Sequence, residues 1–321
     1  MTFSAAVRPG HEAVVRVAVA TLWTDPAAVR PVDGAAIGPC ADIAGWSSAL
    51  CAEAPIHERV LSQLLLGERV LVQEVRRDGW ARLIAVEQPA AKLDPRGYPG
   101  WLPVNQLTAA STQSPDRARL VVDVATTGLR AGPGGELVVP GVVLGTRLVP
   151  TGPPRHGWQP VRIPAHRQPL WVPTEDIAPA PTRPPTAGEV LAVATRLLDV
   201  CYIWGGVSPF GIDCSGLVHL AWRRLGVRLP RDADDQARAT RPVPPGSELP
   251  GDLYLFARPG RQVHHIGIVT TAGGQDRDRD RRILHASLAA RRVVEEALPL
   301  DRVATLVAAH RVGQAPADLP R

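Results

Sequence analysis

Asp213-Cys214-Ser215-Gly216-Leu217 is the stretch on which the reading of this chain turns. It runs on into Val218-His219-Leu220-Ala221-Trp222, with apolar residues at Leu217, Val218, Ala221 and Leu225 and a glycine at Gly226. That spacing predicts a helix closed by the glycine, with Cys214 at its N-terminus. Unpaired N–H groups and the helix dipole favour an anion there, so the thiol is expected to ionise more readily than a free cysteine. A lone cysteine is more often a buried structural residue, and what surrounds it in the sequence decides between the two uses.

A reactive thiol needs a base, a group that orients the base, and a donor for a developing oxyanion. His265 opens the strand-like run His265-Ile266-Gly267-Ile268-Val269, and His285 lies in Ile283-Leu284-His285-Ala286. As antiparallel neighbours the two runs would present both imidazoles on one face. His265 would then pair with Cys214, and His285 would orient His265. Tyr202, in Tyr202-Ile203-Trp204-Gly205-Gly206, offers a phenol upstream. His219, His264 and His310 read as surface or satisfied core residues. Cys214, His265 and His285 could instead hold a metal. Activation at a helix start needs none, and the expectation is a site without metal or cofactor.

Outside this region two segments share a pattern. The first holds Leu64-Leu65-Leu66-Gly67-Glu68-Arg69-Val70, Gly79-Trp80-Ala81-Arg82-Leu83 and Gly97-Tyr98-Pro99-Gly100-Trp101-Leu102. The second holds Val142-Val143-Leu144-Gly145-Thr146-Arg147-Leu148, Gly157-Trp158-Gln159-Pro160-Val161 and Pro169-Leu170-Trp171-Val172-Pro173. Short strands with Gly and Pro turns in the same order predict an internal repeat of two small β-barrels, over 1–110 and 116–178. Each opens with a strand-like stretch, Val15 to Leu22 and Leu120 to Leu129. A proline-rich linker occupies 179–185. Thr186-Ala187-Gly188-Glu189 then reads as a capping box starting a helix over Ala187 to Leu198. Strands are expected at Asp252 to Phe256, His265 to Thr270, Ile283 to Ala286 and Val303 to Val307. Gln275 to Arg282, which lacks any apolar residue, reads as a solvated hairpin tip. Helices followed by an antiparallel sheet give an α+β domain over 186–315.

The chain has 321 residues and a diffuse net charge of +5, room for two or three domains. It has no basic helix or aromatic–basic cluster of the kind that binds nucleic acid, and no apolar run of membrane-spanning length. His11, Glu12 and Arg16 interrupt the stretch where a signal peptide would be continuous. The expectation is a cytoplasmic monomer with reduced thiols. Cys40 and Cys51 could pair only in an oxidising compartment, and Cys201 reads as core.

With these residues in view, the third domain resembles the NlpC-type family of papain-like cysteine peptidases that cleave bacterial cell-wall peptides. Tyr202 to Gly206, Asp213 to Leu217, Leu229 to Gln236, Gly251 to Leu253 and His265 to Ile268 match its motifs in family order. The resemblance implies catalytic roles for Cys214, His265 and His285, with Tyr202 near the oxyanion. The two repeats resemble bacterial SH3-like domains, and the whole arrangement is similar to the γ-D-glutamyl-L-diamino-acid endopeptidases of murein peptide recycling. Those enzymes cut between D-Glu and the diamino acid and require a free N-terminal L-Ala. The implied substrate is therefore a murein peptide. Its ammonium would be held by Glu68, Tyr98 and Asp213, with Ser215, Arg231, Asp232 and Trp204 lining the groove. A wall-binding module and an acyltransferase or amidase on the same fold are the alternatives.

Overall fold

The computed structural model describes residues 7–52, 59–110, 119–272 and 281–313. These fall into two compact units. One contains the chain up to Ala180 together with Ile203–Gly211, and the other contains Pro181–Tyr202 and the chain from Ile212 onward. Most of the stretch read as a hairpin tip lies outside the described residues, as do the ends of the expected domains at 1–6, 116–118 and 314–315.

The first unit holds two seven-stranded antiparallel sheets. In the first, the strands are Glu12–Val15, Val19–Trp23, Val60–Leu65, Arg69–Val75, Trp80–Ala85, Tyr98–Pro103 and Leu107–Ala109. In the second they are Leu120–Val122, Thr126–Arg130, Leu137–Val143, Arg147–Pro150, Trp158–Arg162, Leu170–Pro173 and Ile177–Pro179. Both sheets run in the spatial order third, second, sixth, fifth, fourth, first, seventh.

The repeat extends to single hydrogen bonds. Gly67 and Gly145 both have positive φ (84° and 81°), where a side chain would strain the backbone. Their N–H groups donate to Val15 O and Val122 O, and the next residues, Glu68 and Thr146, donate to Leu65 O and Val143 O. Each expected opening strand is broken in two. In the first repeat, Arg16 N donates to Gln106 O while Leu66 N donates to Ala18 O, so the chain changes partners between the two pieces.

The repeats differ where the first inserts two helices, Gly34–Ile37 and Ile43–Ala52, between its second and third strands. That insertion is fastened by Trp46, whose ring meets Trp23 edge-on at 6.1 Å and whose Nε1 donates to Asp33 at 2.9 Å. Cys40 carries a free exposed thiol, so it does not pair with Cys51. Cys51 carries no free thiol, being disulfide-bonded, against the expectation of reduced thiols.

The second unit is α+β. Its elements are α1 (Ala187–Thr195), α2 (Cys214–Arg224), α3 (Ala233–Arg238), β1 (Arg241–Val243), β2 (Leu253–Ala257), β3 (Val263–Thr271), β4 (Arg282–Ser287), β5 (Arg292–Ala297), α4 (Leu300–Val303) and β6 (Leu306–Arg311). The six strands form one antiparallel sheet in the order β1-β6-β2-β3-β4-β5. Helix α2 packs against β3 and β4.

The capping box forms as read: Glu189 N donates to Thr186 Oγ1 at 3.3 Å, and Thr186 N donates to Glu189 Oε2 at 2.8 Å. Helix α1 stops at Thr195, earlier than expected, because Leu197 and Leu198 bond three residues back and Asp199 turns to φ 62°. The strand expected at Val303 to Val307 starts at Leu306. Pro299 accepts from the Val303 N–H and draws that residue into a helical turn.

Candidate active site

Asp213 sets the start of α2. Its backbone is extended (φ −101°, ψ 179°) and its carboxylate caps the helix, accepting from Gly216 N at 2.7 Å. Cys214 is thus the first helical residue, as its sequence context predicts. Asp213 is held in turn by Arg231, whose Nη1 and Nη2 reach Oδ1 and Oδ2 at 3.0 and 2.7 Å. Nη1 also donates to Ser215 Oγ at 2.9 Å. A bidentate guanidinium–carboxylate pair is strong and geometrically selective, and the second bond is what makes arginine hard to replace.

Arg231 is only 1% exposed. The expectation that it lines the groove is therefore corrected: its guanidinium faces Asp213 and Ser215. Gln236 on α3 secures the same corner, donating to Ser215 O at 3.0 Å and to Pro230 O at 2.9 Å. Asp232 stands at the N-cap of α3 without capping it through its side chain.

Burial works against the expected ionisation of Cys214. Burial pushes its thiol up to about 12, the Asp213 carboxylate adds to the rise, and the backbone N–H of Ile266, the Arg231 charge and the Ser215 N–H oppose it. The helix start does favour a thiolate, but desolvation of the charged form outweighs it. The Ile266 contribution also locates the sulfur: it lies against β3, beside the residue that follows His265.

β3 and β4 bring the two histidines together. His265 Nε2 and His285 Nδ1 are 2.7 Å apart, and the rings meet edge to face at 4.9 Å. Gly267, two residues along β3 from His265, makes this approach possible. A Cβ there would stand 2.8 Å from the Cβ of His285 and 2.5 Å from Ile283 Cδ1. Both imidazoles are held below the ordinary histidine range, first by burial; for His265 the His285 ring adds to this, while for His285 the Glu296 carboxylate opposes it.

His285 Nε2 lies 2.9 Å from Glu296 Oε1 on β5. Sequence reasoning missed Glu296. It pairs in register with Ile283, not His285, so nothing in the local pattern of Arg292-Val293-Val294-Glu295-Glu296 marks it.

Tyr202 is buried and its hydroxyl is driven above the ordinary phenol range, first by burial and then by Cys214 and Asp213. It therefore lies close enough to the thiol and its neighbouring acid to feel both.

The remaining expected residues belong to the first unit. Glu68 is buried; its carboxylate accepts from Leu65 N at 2.9 Å and from Gln88 Nε2 at 3.2 Å. Tyr98 is part of the first sheet's apolar core. Trp204 is exposed, in a turn closed by Gly206 N donating to Ile203 O. The same segment is tied to the first sheet by Gln63 Oε1, which accepts from Val207 N and Ser208 Oγ, both at 2.9 Å.

Known proteins match this arrangement. The NlpC/P60 family matches residues 199–303. The chain is 30% identical over 266 residues to a gamma-D-glutamyl-L-lysine dipeptidyl-peptidase of Bacillus subtilis, covering 80% of this chain and 86% of that one. It is 29% identical over 307 residues to the protein of the same name from Bacillus cereus, covering 90% and 86%. The crystal structure of an NlpC/P60 family protein from Bacillus cereus superposes with a TM-score of 0.80 at 25% identity, over 94% of this chain and 99% of that one. With that similarity running through both units, the chain belongs to the NlpC/P60 family of papain-like cysteine peptidases.

Proposed function

We propose that this enzyme hydrolyses peptidoglycan-derived peptides, and within them the bond between γ-D-glutamate and the following diamino acid, when the N-terminal L-alanine is unblocked. The observation that carries the reading is the buried His265–His285 pair on the strands against which the Cys214 helix packs. The names of the Bacillus relatives support the bond.

In this reading His265 takes the Cys214 proton as the sulfur attacks the γ-carbonyl carbon. Thiol and imidazole both start neutral, so transfer and attack are coupled; no preformed thiolate is needed. Tyr202 donates to the oxyanion. Collapse breaks the C–N bond, His265 protonates the leaving amine, and a thioester remains on Cys214. Water, deprotonated by His265, then releases the L-alanyl-γ-D-glutamate and restores the thiol.

The ammonium of the substrate is assigned to Asp213, whose carboxylate is oriented in advance by Arg231 and the Gly216 N–H. A site built for a cation strongly rejects a substrate that lacks one. The resemblance to that family supports naming the two repeats SH3-like.

Mass spectrometry of digests tests the reading. L-Ala-γ-D-Glu-L-Lys and L-Ala-γ-D-Glu-diaminopimelate should each yield the dipeptide and the free diamino acid, and their N-acetylated forms should stay intact. Cleavage at any other bond, or equal rates with and without the acetyl group, would overturn it.

A further inference from the structure

The hydrogen-bond chain that begins at His265 does not end at His285. The His285 ring is fully buried, and its outer nitrogen meets Glu296 Oε1 at 2.9 Å, on a side chain 37% exposed. Counting protons along this chain fixes a tautomer. A carboxylate only accepts, so the proton between His285 and Glu296 sits on His285 Nε2. A neutral imidazole carries one proton, which leaves His285 Nδ1 as an acceptor. The 2.7 Å contact to His265 must then use a proton on His265 Nε2, and His265 Nδ1 is left bare. That is the state a base needs.

We propose that Glu296 is a positioning residue that acts through His285 to hold His265 in the tautomer with a free Nδ1, and that steadies the imidazolium His265 becomes once it has taken the thiol proton. The inference rests on the proposed roles of Cys214 and His265. Without Glu296, His285 can carry its proton on either nitrogen. In the form protonated on Nδ1, it donates to His265 Nε2, forces the His265 proton onto Nδ1 and removes the base. Orienting carboxylates act this way on histidine elsewhere, by fixing ring and tautomer and raising basicity.

The charges around the pair are few. β5 presents Glu296, β3 presents His264 beside His265, and α4 presents Arg302, which disfavours a positive charge on either ring. At the start of α2 stand Cys214 and the Asp213–Arg231 pair. Glu295, adjacent to Glu296, leaves the other way, to Thr270 Oγ1 at 3.0 Å and Arg282 Nε at 3.3 Å. It is therefore a control with the same change of charge one residue away.

The test compares Glu296→Gln, Glu295→Gln and Cys214→Ala with the unaltered full-length enzyme on the free tripeptide. Glu296→Gln should lower kcat about tenfold to a hundredfold, the range found when a metal-bound histidine loses its outer carboxylate partner. KM should change little, and the acid limb of the kcat/KM profile should move to lower pH, because His265 loses basicity. Glu295→Gln should leave rate and profile unchanged. In the unaltered enzyme, imidazole 15N shifts should show His285 protonated on Nε2 and bare at Nδ1. If Cys214→Ala abolishes cleavage while Glu296→Gln matches Glu295→Gln, or if His285 proves to be protonated on Nδ1, Glu296 has no such role. If Cys214→Ala stays active, it is the reading of the reaction that fails.

Discussion

Two polar clusters flank Cys214, and they are built in opposite ways. On one side Asp213, Ser215 and Arg231 form a closed set: the charges cancel, the guanidinium is buried, and the carboxylate is also bound by the helix it caps. On the other side His265, His285 and Glu296 form a chain of neutral rings that ends in a half-exposed acid. The first cluster fixes the helix start. The second is a hydrogen-bonded chain of titratable groups, and a proton role for it belongs to the proposed reaction. The thiol between them is held neutral by its burial. In the proposed reaction the first cluster would supply geometry and the second would carry the proton.

The sharpest way to break that comparison is at its centre. Cys214→Ala should lower the rate by about four orders of magnitude or more, as removal of a nucleophile does, with the melting temperature preserved; residual turnover near the original rate in a purified sample would remove Cys214 from the chemistry. Next comes Arg231→Met, which leaves the buried Asp213 carboxylate without its counter-charge. Breaking one partner of such a pair costs about 3–5 kcal/mol, and urea denaturation should register it as a lower midpoint. A variant as stable as the original would mean the closed cluster does no structural work.

Gly267→Ala strikes the relay sterically. The added Cβ meets the Ile283 side chain, whose tip can shift, and the Cβ of His285, which moves only with its strand, so a destabilisation of about 1–3 kcal/mol is expected, together with a fall in kcat from a displaced His285. Unchanged kinetics would show that the ring has room.

The smallest effects are read with pH. In a Cys40→Ser background, alkylation of Cys214 should accelerate about tenfold per pH unit from roughly pH 6 to 9 with no plateau, since only the thiolate reacts. A plateau at neutral pH would reveal a preformed ion pair. Folding stability carries the matching signature. The folded values of His265 and His219 lie below the ordinary 6.5, through burial, with His219 at about 3. The folded state therefore binds fewer protons than the unfolded one, so stability is intact above about pH 6.5 and declines as pH falls through that value. Denaturant midpoints taken between neutral and acid pH should follow that slope.

Much of this was legible in the sequence because it depends on neighbours in the chain. The apolar spacing after Cys214 and the acid before it define a capped helix start; Thr186 and Glu189 define another; Gly67 and Gly145 announce matching turns. The motif Leu229 to Gln236 could be recognised as a pattern, but its reason is spatial: Gln236 fastens α3 to the first turn of α2. The ionisation of Cys214 could not be read, since the sequence shows the helix dipole and not the burial that outweighs it. Nor could Glu296, because its partner lies diagonally across two strands and is chosen by sheet register. The commitment of Arg231 to Asp213, 18 residues away, is of the same kind. By itself the sequence determined the repeat, the helix that presents the thiol and the strand that carries His265, all written in short-range periodicity and capping. Only the tertiary structure decided which charges cancel, which side chains meet across the sheet and how burial acts on the thiol, because desolvation and cross-strand contact exist only once distant segments have packed.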